Sequence, residues 1–376
     1  MAGSSTRLVN LKAKFQALYG HKPEVTVNSP GRAEIIGNHT DYNLGYALGC
    51  AISQSTLGLF AKRHDQEIIF RSTNPNLNGE KYCRAIQVEL LQAGYALVGA
   101  DILVDTNFST SGGLSSSAAL ELCLAYGLLT LAGQTVNPEK IAPVCQRAEN
   151  GNLVMSPCGF LDQGVIAFSQ KGQMVLLDFQ PPVKTKLIAA DLAGQGVSLV
   201  VGVDKNVKRI LGESGYPARR KSCEAAAKTL GVNSLRELSI AAFEAKKGQL
   251  GQVGRNRAEH IVYENQRVLD AVEALKQNDL IKFGQLLNQA GQSALTLYTL
   301  DENTPELTHL MNTAQNLDGV LGARNMGGGF SAIILSLVKN DFLPKFQADL
   351  QTKYSEKFSG QLEFVPFTPG QGTEII

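Results

Sequence analysis

Residues 118–133, AALELCLAYGLLTLAG, are apolar on nearly every side when set at helical spacing. A helix of that kind has no polar stripe to turn toward water, so other elements must wrap it. It follows directly on the run STSGGLSSS, which itself follows a short apolar stretch at residues 102–104. The order reads as strand, glycine loop, buried helix. Burying such a helix requires a large core, and 376 residues are enough for two intimately joined lobes.

Strand and helix patterns alternate through the rest of the chain. Residues 25–27 (VTV) begin an extended stretch that meets Ser29-Pro30-Gly31 and runs through a glycine-rich, polar segment to Ile52. This predicts a strand, a functional loop and a second strand. Residues 173–179 and 198–203 predict two more strands, with Pro181-Pro182 between them. We place the boundary between the lobes there, giving 1–190 and 191–376. Helical periodicity covers 217–231 and 257–276; in the second, Ile261, Val268, Val272 and Leu275 share a face and charged residues fill the other. Near the end, RNMGGGFSAIILSLV predicts a glycine turn leading into a strand, and LEFVPF predicts one strand more. The mixture implies an α+β fold rather than a bundle or sandwich.

Charge and cysteine usage narrow the partners. Lys and Arg total 35 against 34 for Asp and Glu, so no field draws the chain to nucleic acid. The six cysteines are scattered without a CxxC pair, which predicts reduced, mostly buried thiols. Leu8, Leu11, Phe15 and Leu18 sit at helical spacing but form no signal-peptide core, and no apolar run reaches the roughly 18–20 residues of a membrane span. A cytoplasmic protein without a membrane partner is the expectation.

Four segments carry candidate chemistry. In the first, Ser111 is followed by Gly112, Gly113, Leu114, Ser115, Ser116, Ser117 and Ala118 at the start of the apolar helix. Glycines admit a close ligand, serines can cap the helix, and the free N–H groups at its start attract a phosphate. It is neither a Walker A loop nor a GxGxxG fingerprint, and an ordinary serine-capped helix would also satisfy it. The second, PGRAEIIGNHTDYNLGYALGCAI, sets Arg32, His39 and Asp41 in a loop that could match the hydroxyls of a polyhydroxylated ligand, or simply lie solvated on the surface. The third, ENGNLVMSPCGFLDQ, holds Glu149 and Asp162; a carboxylate beside a guanidinium can act as general base or anchor, or be a structural ion pair. The fourth is Gly327-Gly328-Gly329-Phe330 after Arg324 and Asn325, implying unusual torsions or a tight turn. The five histidines show no HxH or HExxH spacing, and Cys158 has no neighbouring base, so neither a protein-ligated transition metal nor a thiol nucleophile is expected.

In this order, the four segments resemble the galactokinase branch of the GHMP small-molecule kinases along essentially the whole chain. They are similar to that family's PGRxNLIGEHTDYNGG, GLSSSAAL, CGIMDQ and GGGFGG patterns, and VDKNVKR at 203–209 and ESGYPARRKSCEAA at 213–226 resemble galactokinases further. The resemblance implies a two-lobed GHMP kinase fold, with an N-terminal lobe like ribosomal protein S5 domain 2, a ferredoxin-like C-terminal lobe and the site between them. It implies an ATP-dependent sugar 1-kinase making galactose 1-phosphate, with Asp162 as base or charge anchor and Arg32 beside it. Asn38, His39, Asp41, the Gly159 backbone and Tyr216 would bind the sugar. Residues 112–118 would wrap the phosphates, Ser117 and Glu149 would hold Mg²⁺, and Gly327, Gly328 and Gly329 would close the cleft. A monomer acting on a sugar and ATP is expected.

The chain departs from the family pattern in places. Asn38 stands where the family has a Glu that contacts the far end of the sugar, leaving galacturonate or another C6-modified sugar open beside galactose. Ala33-Glu34 replace the usual Val-Asn, and the Glu149 to Asp162 spacing is one residue longer than usual, which unsettles the metal assignment. A sugar- and ATP-binding regulator without catalysis is the reading from another class.

Overall fold

The computed structural model describes residues 2–75, 77–108, 113–156, 158–207, 215–329 and 331–376. The chain begins with α1 (Ala2–Tyr19), β1 (Val25–Ile36), β2 (Tyr46–Lys62), β3 (Ile68–Ser72), α2 (Gly79–Gln92) and β4 (Ala100–Thr106). There follow α3 (Ser116–Leu131), α4 (Pro138–Asn150), α5 (Leu161–Phe168), β5 (Gln173–Asp178), β6 (Lys184–Ala189) and β7 (Val197–Asp204). Helices α6 (Tyr216–Leu230), α7 (Ile240–Lys246), α8 (Gln252–Lys276), α9 (Leu280–Thr296) and α10 (Pro305–Gln315) come next. The chain closes with β8 (Val320–Asn325), β9 (Ile333–Lys339), α11 (Leu343–Ser355), β10 (Leu362–Phe367) and β11 (Glu374–Ile375).

The first sheet runs β11-β1-β2-β4-β3, with β5 paired to the early part of β2 and β6 to β5. Only the β3–β4 pairing is parallel among its described ladders. One face of this sheet carries α3. Positions 118–129 of that helix are all buried, Glu121 included, against Val27, Phe60, Ile102 and Val104 of the sheet and against α2, α4 and α5. The all-round apolar sequence is thus met by cover on all sides.

The second sheet is antiparallel, in the order β10-β7-β9-β8. Along β7 the side chains alternate: Leu199, Val201 and Val203 face a core shared with Ile35, Leu48 and Cys50 of the first sheet and with α8 and α9, while Val200 faces α10 and α11. This shared core joins the two halves. The closing segment then crosses back, where Ile375 pairs with Val27 and the Ser29 and Thr373 hydroxyls meet at 2.8 Å.

Two elements differ from the sequence reading. Arg32 lies within strand β1 rather than in a solvated loop, and every residue from Ser29 to Thr40 is buried, with Ala33, Ile35 and Ile36 in the core shared with the second half of the molecule. On α8, Ile261, Val268, Val272 and Leu275 are buried as their spacing predicts, yet His260 and Glu264 are buried with them. Among the described residues, no helix is long and apolar enough to cross a membrane.

The α3 packing is tested at Gly127, where an added Cβ would lie 2.2 Å from two ring atoms of the fully buried Phe60. Alanine gains about 1 kcal/mol of helix propensity over glycine, while overpacking a core costs about 1–3 kcal/mol or more. Gly127→Ala is therefore expected to lower the denaturant midpoint; a midpoint at or above the wild-type value would show that the ring can move aside.

Candidate active site

Strand β1 and the first turn of α5 bring together Arg32 and Asp162, which are 130 residues apart. Arg32 Nε and Nη2 both donate to Asp162 Oδ1, at 2.9 and 2.7 Å. The guanidinium is buried, whereas the carboxylate side chain remains 23% exposed, so a ligand can reach it. Arg32 Nη1 also donates to the Gly113 carbonyl at 2.7 Å, which ties the pair to the glycine loop. The other carboxylate oxygen, Oδ2, accepts from the Ser115 hydroxyl at 2.5 Å.

Ser115 therefore does not cap α3 as the sequence suggested. It is in the left-handed region with φ 56°, and its hydroxyl is committed to Asp162 instead of to a helix N–H. The first backbone N–H groups of α3, at Ser116, Ser117 and Ala118, have no carbonyl one turn back and point out of the helix start. Leu114 and Ala118 are buried, Ser116 is exposed and Ser117 is half-buried. Gly112 lies outside the described residues.

Two positions further on, the Ser117 hydroxyl donates to Glu149 Oε1 at 2.8 Å. The longer spacing between Glu149 and Asp162 thus leaves Glu149 in contact with the loop. Its other oxygen, Oε2, accepts from the Gln163 amide at 2.6 Å and the Cys158 thiol at 3.2 Å. The same amide reaches Glu121 Oε2 at 3.0 Å, so one Gln163 nitrogen bridges two buried carboxyls. Burial raises the pKa of both, and negative neighbours add to it: Asp162 for Glu149, Glu149 for Glu121. Burial, reinforced by Glu149, also pushes the Cys158 thiol well up, which keeps it protonated. Among the described residues no group of three or more His, Cys, Asp or Glu could hold a metal ion by itself. No motif assigns Glu121 or Gln163 a role; a lone acid inside an otherwise apolar helix is the sequence signal for Glu121.

The sugar-signature residues lie alongside. His39, at φ 60°, receives or donates a bond with the Tyr42 hydroxyl at Nδ1, 3.0 Å away, and its Nε2 is 3.2 Å from the Gly328 carbonyl. Asn38 is only 1% exposed. Its amide nitrogen donates to Glu34 Oε1 at 2.9 Å and to the Gly327 carbonyl at 2.6 Å, while its oxygen accepts from Asn325 at 3.2 Å. Glu34 in turn takes Arg324 at 3.1 Å. The three glycines thus form a turn seated on residues 38 and 39, with Gly327 and Gly329 at φ 74° and 81°. Asp41 and Gly159 are in contact so close that a Cβ on Gly159 would lie 2.1 Å from Asp41 Oδ2. Tyr216 opens α6, and its side chain lies outside the described residues.

A cavity of about 880 Å³ opens beside this cluster, lined by Asp41, Cys158, Gly159, Phe160, Phe179 and Arg220 among others. Neither Arg32 nor Asp162 is part of its lining. Charge, the glycine loop and a partly exposed carboxylate converge at the ion pair, outside that lining.

Comparison with known proteins bears on this arrangement. Residues 13–62 match the galactokinase galactose-binding signature and residues 81–170 the N-terminal domain of GHMP kinases. A galactokinase of Roseiflexus sp. is 33% identical over 92% of this chain and 91% of its own. That of Haemophilus influenzae is 34% identical over 99% of this chain and 100% of its own. Among solved structures, the Lactococcus lactis galactokinase complexed with galactose superposes with a TM-score of 0.89 at 31% identity, covering 98% of this chain and 99% of that one. The Methanococcus jannaschii mevalonate kinase, at 15% identity, a TM-score of 0.64 and coverage of 91% and 98%, shares the fold.

Asp41 gives this site a pH signature. Burial, with Glu34 and Asp162 adding repulsion, raises its pKa from 3.8 to about 6, although its position on the cavity wall leaves it some contact with water. Because the folded value exceeds the unfolded one, the unfolded chain releases this proton first. Stability is lost as the pH rises from about 4 to about 6 and is not regained above. Asp41→Asn is expected to melt roughly 2 °C or more above wild type near neutral pH. That gain should vanish as the pH falls to about 4; a gain independent of pH would contradict the electrostatic origin.

Proposed function

The chain belongs to the galactokinase family of the GHMP kinases, and on that premise we propose that it transfers the γ-phosphoryl group of ATP to the anomeric hydroxyl of galactose, giving galactose 1-phosphate and ADP. The observation that carries this reading is the Arg32–Asp162 pair held by Ser115 and Gly113 at the start of α3. It sets an accessible carboxylate beside an anion-attracting helix start, which is what in-line transfer to a hydroxyl requires.

The anomeric hydroxyl hydrogen-bonds to Asp162, which orients it and accepts its proton as the bond to phosphorus forms. A carboxylate has lone pairs to spare beyond those taken by Arg32 and Ser115, so this bond need not displace them. Arg32, fixed by three donated bonds, offsets negative charge around the transferring group without reorganising. The N–H groups at positions 113–118, together with Gly112, hold the phosphates. His39, Asp41, the Gly159 backbone and Tyr216 bind the sugar hydroxyls. Asn38 shapes the sugar site through the Gly327 turn that its amide holds. Gly327, Gly328 and Gly329 close the cleft.

Ser117 and Glu149 fit a Mg²⁺ ion: a hydroxyl and a carboxylate in contact, amid a surplus of buried negative charge that a hard cation would relieve. Two protein ligands leave the remaining positions to phosphate oxygens and water, which suits Mg²⁺. When bound, the ion would neutralise phosphate charge. The residues named come from one chain, divided near residue 190 into two lobes, and we read the enzyme as a monomer that needs no second copy.

ADP release coupled to galactose, measured for wild type and Asp162→Asn, tests the assignment. The variant is expected to retain the fold and lose activity by about 10²-fold or more. Ordinary turnover in a folded Asp162→Asn protein would remove Asp162 from its role. Sugar binding by wild type without ADP release would make the protein a sensor instead.

A further inference from the structure

The loop bearing His39 has an unusual backbone. Gly37 is at φ 111° and His39 at φ 60°, and a non-glycine residue in that region persists only where its surroundings impose it. The surroundings are on α8, in the other half of the molecule. Glu264, fully buried, accepts with Oε1 from the N–H groups of Gly37 at 3.0 Å and Asn38 at 3.4 Å. One turn earlier, His260 Nε2 lies 3.3 Å from the carbonyl of the same Asn38, and its Nδ1 lies 2.8 Å from the Ser293 hydroxyl. The nitrogen facing a carbonyl must carry the proton, so His260 donates from Nε2 and accepts from Ser293 at Nδ1. Both arms close on one guanidinium: Arg267 donates to Glu264 Oε2 at 2.7 Å and to Ser293 Oγ at 3.0 Å.

We propose that Glu264 and His260 are positioning residues for the sugar, gripping the Gly37–Asn38 backbone so that His39 is held in its left-handed turn. The inference rests on the sugar-kinase reading for its functional consequence. The electrostatics agree with a permanent clamp. Burial would raise the Glu264 carboxyl, but Arg267, His260 and Arg324 outweigh it and bring it down to about 2, while burial lowers His260 to about 4. The first therefore stays an anion and the second a neutral donor across the physiological range. Neither group reaches the phosphate loop through any of these bonds, so the clamp should act on the sugar and not on the nucleotide.

The test compares wild type and Glu264→Gln in their KM for galactose and for Mg-ATP. Charge-assisted bonds are roughly twice as strong as neutral ones, so Glu264→Gln should raise the KM for galactose roughly tenfold and change that for ATP less than about twofold. Equal rises in both KM values for Glu264→Gln, or none, would overturn the proposal. Should that variant fail to fold, hydrogen exchange on the wild-type protein decides: the Gly37 and Asn38 amides should exchange as slowly as those of β1. Exchange at the rate of an open loop would refute the clamp. If wild type fails to phosphorylate galactose while these amides stay protected, the kinase reading falls and the clamp stands.

Discussion

Burial of α3 is the constraint on which the site depends. With positions 118–129 all buried, the helix must be enclosed by the first sheet and by α2, α4 and α5, and it meets solvent at its ends, Thr130 at one and Ser116 with Ser117 at the other. The N-terminal end carries the unpaired N–H groups. The elements that enclose the helix also deliver the charged side chains of the candidate site: β1 brings Arg32, α4 brings Glu149 and α5 brings Asp162. Two serines of the loop, Ser115 and Ser117, then each bind a different carboxylate. Core packing and site geometry are consequently one arrangement.

The site is electrostatically unbalanced. Glu121, Glu149, Asp162 and Asp41 lie near one another, and burial with repulsion from acidic neighbours raises the pKa of Glu121, Glu149 and Asp41. Asp162 is the one paired with Arg32. A cluster of carboxyls of this kind stores unfavourable charge. The carboxyls differ in their partners: Asp162 has a guanidinium, while Glu121 and Glu149 share one amide.

The second half of the molecule contributes backbone control more than reactive groups. Arg324 is fully buried, reaching Glu34 and the Ile35 carbonyl, and Glu264 with His260 holds residues 37 and 38. Buried ion pairs of this sort are weak evidence of stability, since desolvation consumes much of the Coulomb gain. Their consistent aim at one strand and one loop gives them meaning. Glu34 and Asn38 are the two places where the chain departs from its family by exchanging an amide and a carboxylate, and they bond to each other. In this chain the negative charge of the pair lies on Glu34, where the Arg324 guanidinium meets it.

Much of this was legible in sequence because it is local. An apolar period marks α3, alternation marks β7, and glycines with serines mark the loop that precedes the helix, all within windows of a dozen residues. The family motifs named Arg32, Asp162, Ser117 and Glu149 by type and order. What sequence alone left open was which groups meet and which are covered: that Ser115 serves Asp162 instead of its own helix, that Asn38 turns inward, that two polar residues on α8 belong to its buried face. Those outcomes depend on desolvation and on partners brought from hundreds of residues away, and no periodicity encodes them. Local pattern determined the elements and their chemistry, while only the packed chain decided which charges would find a counterpart.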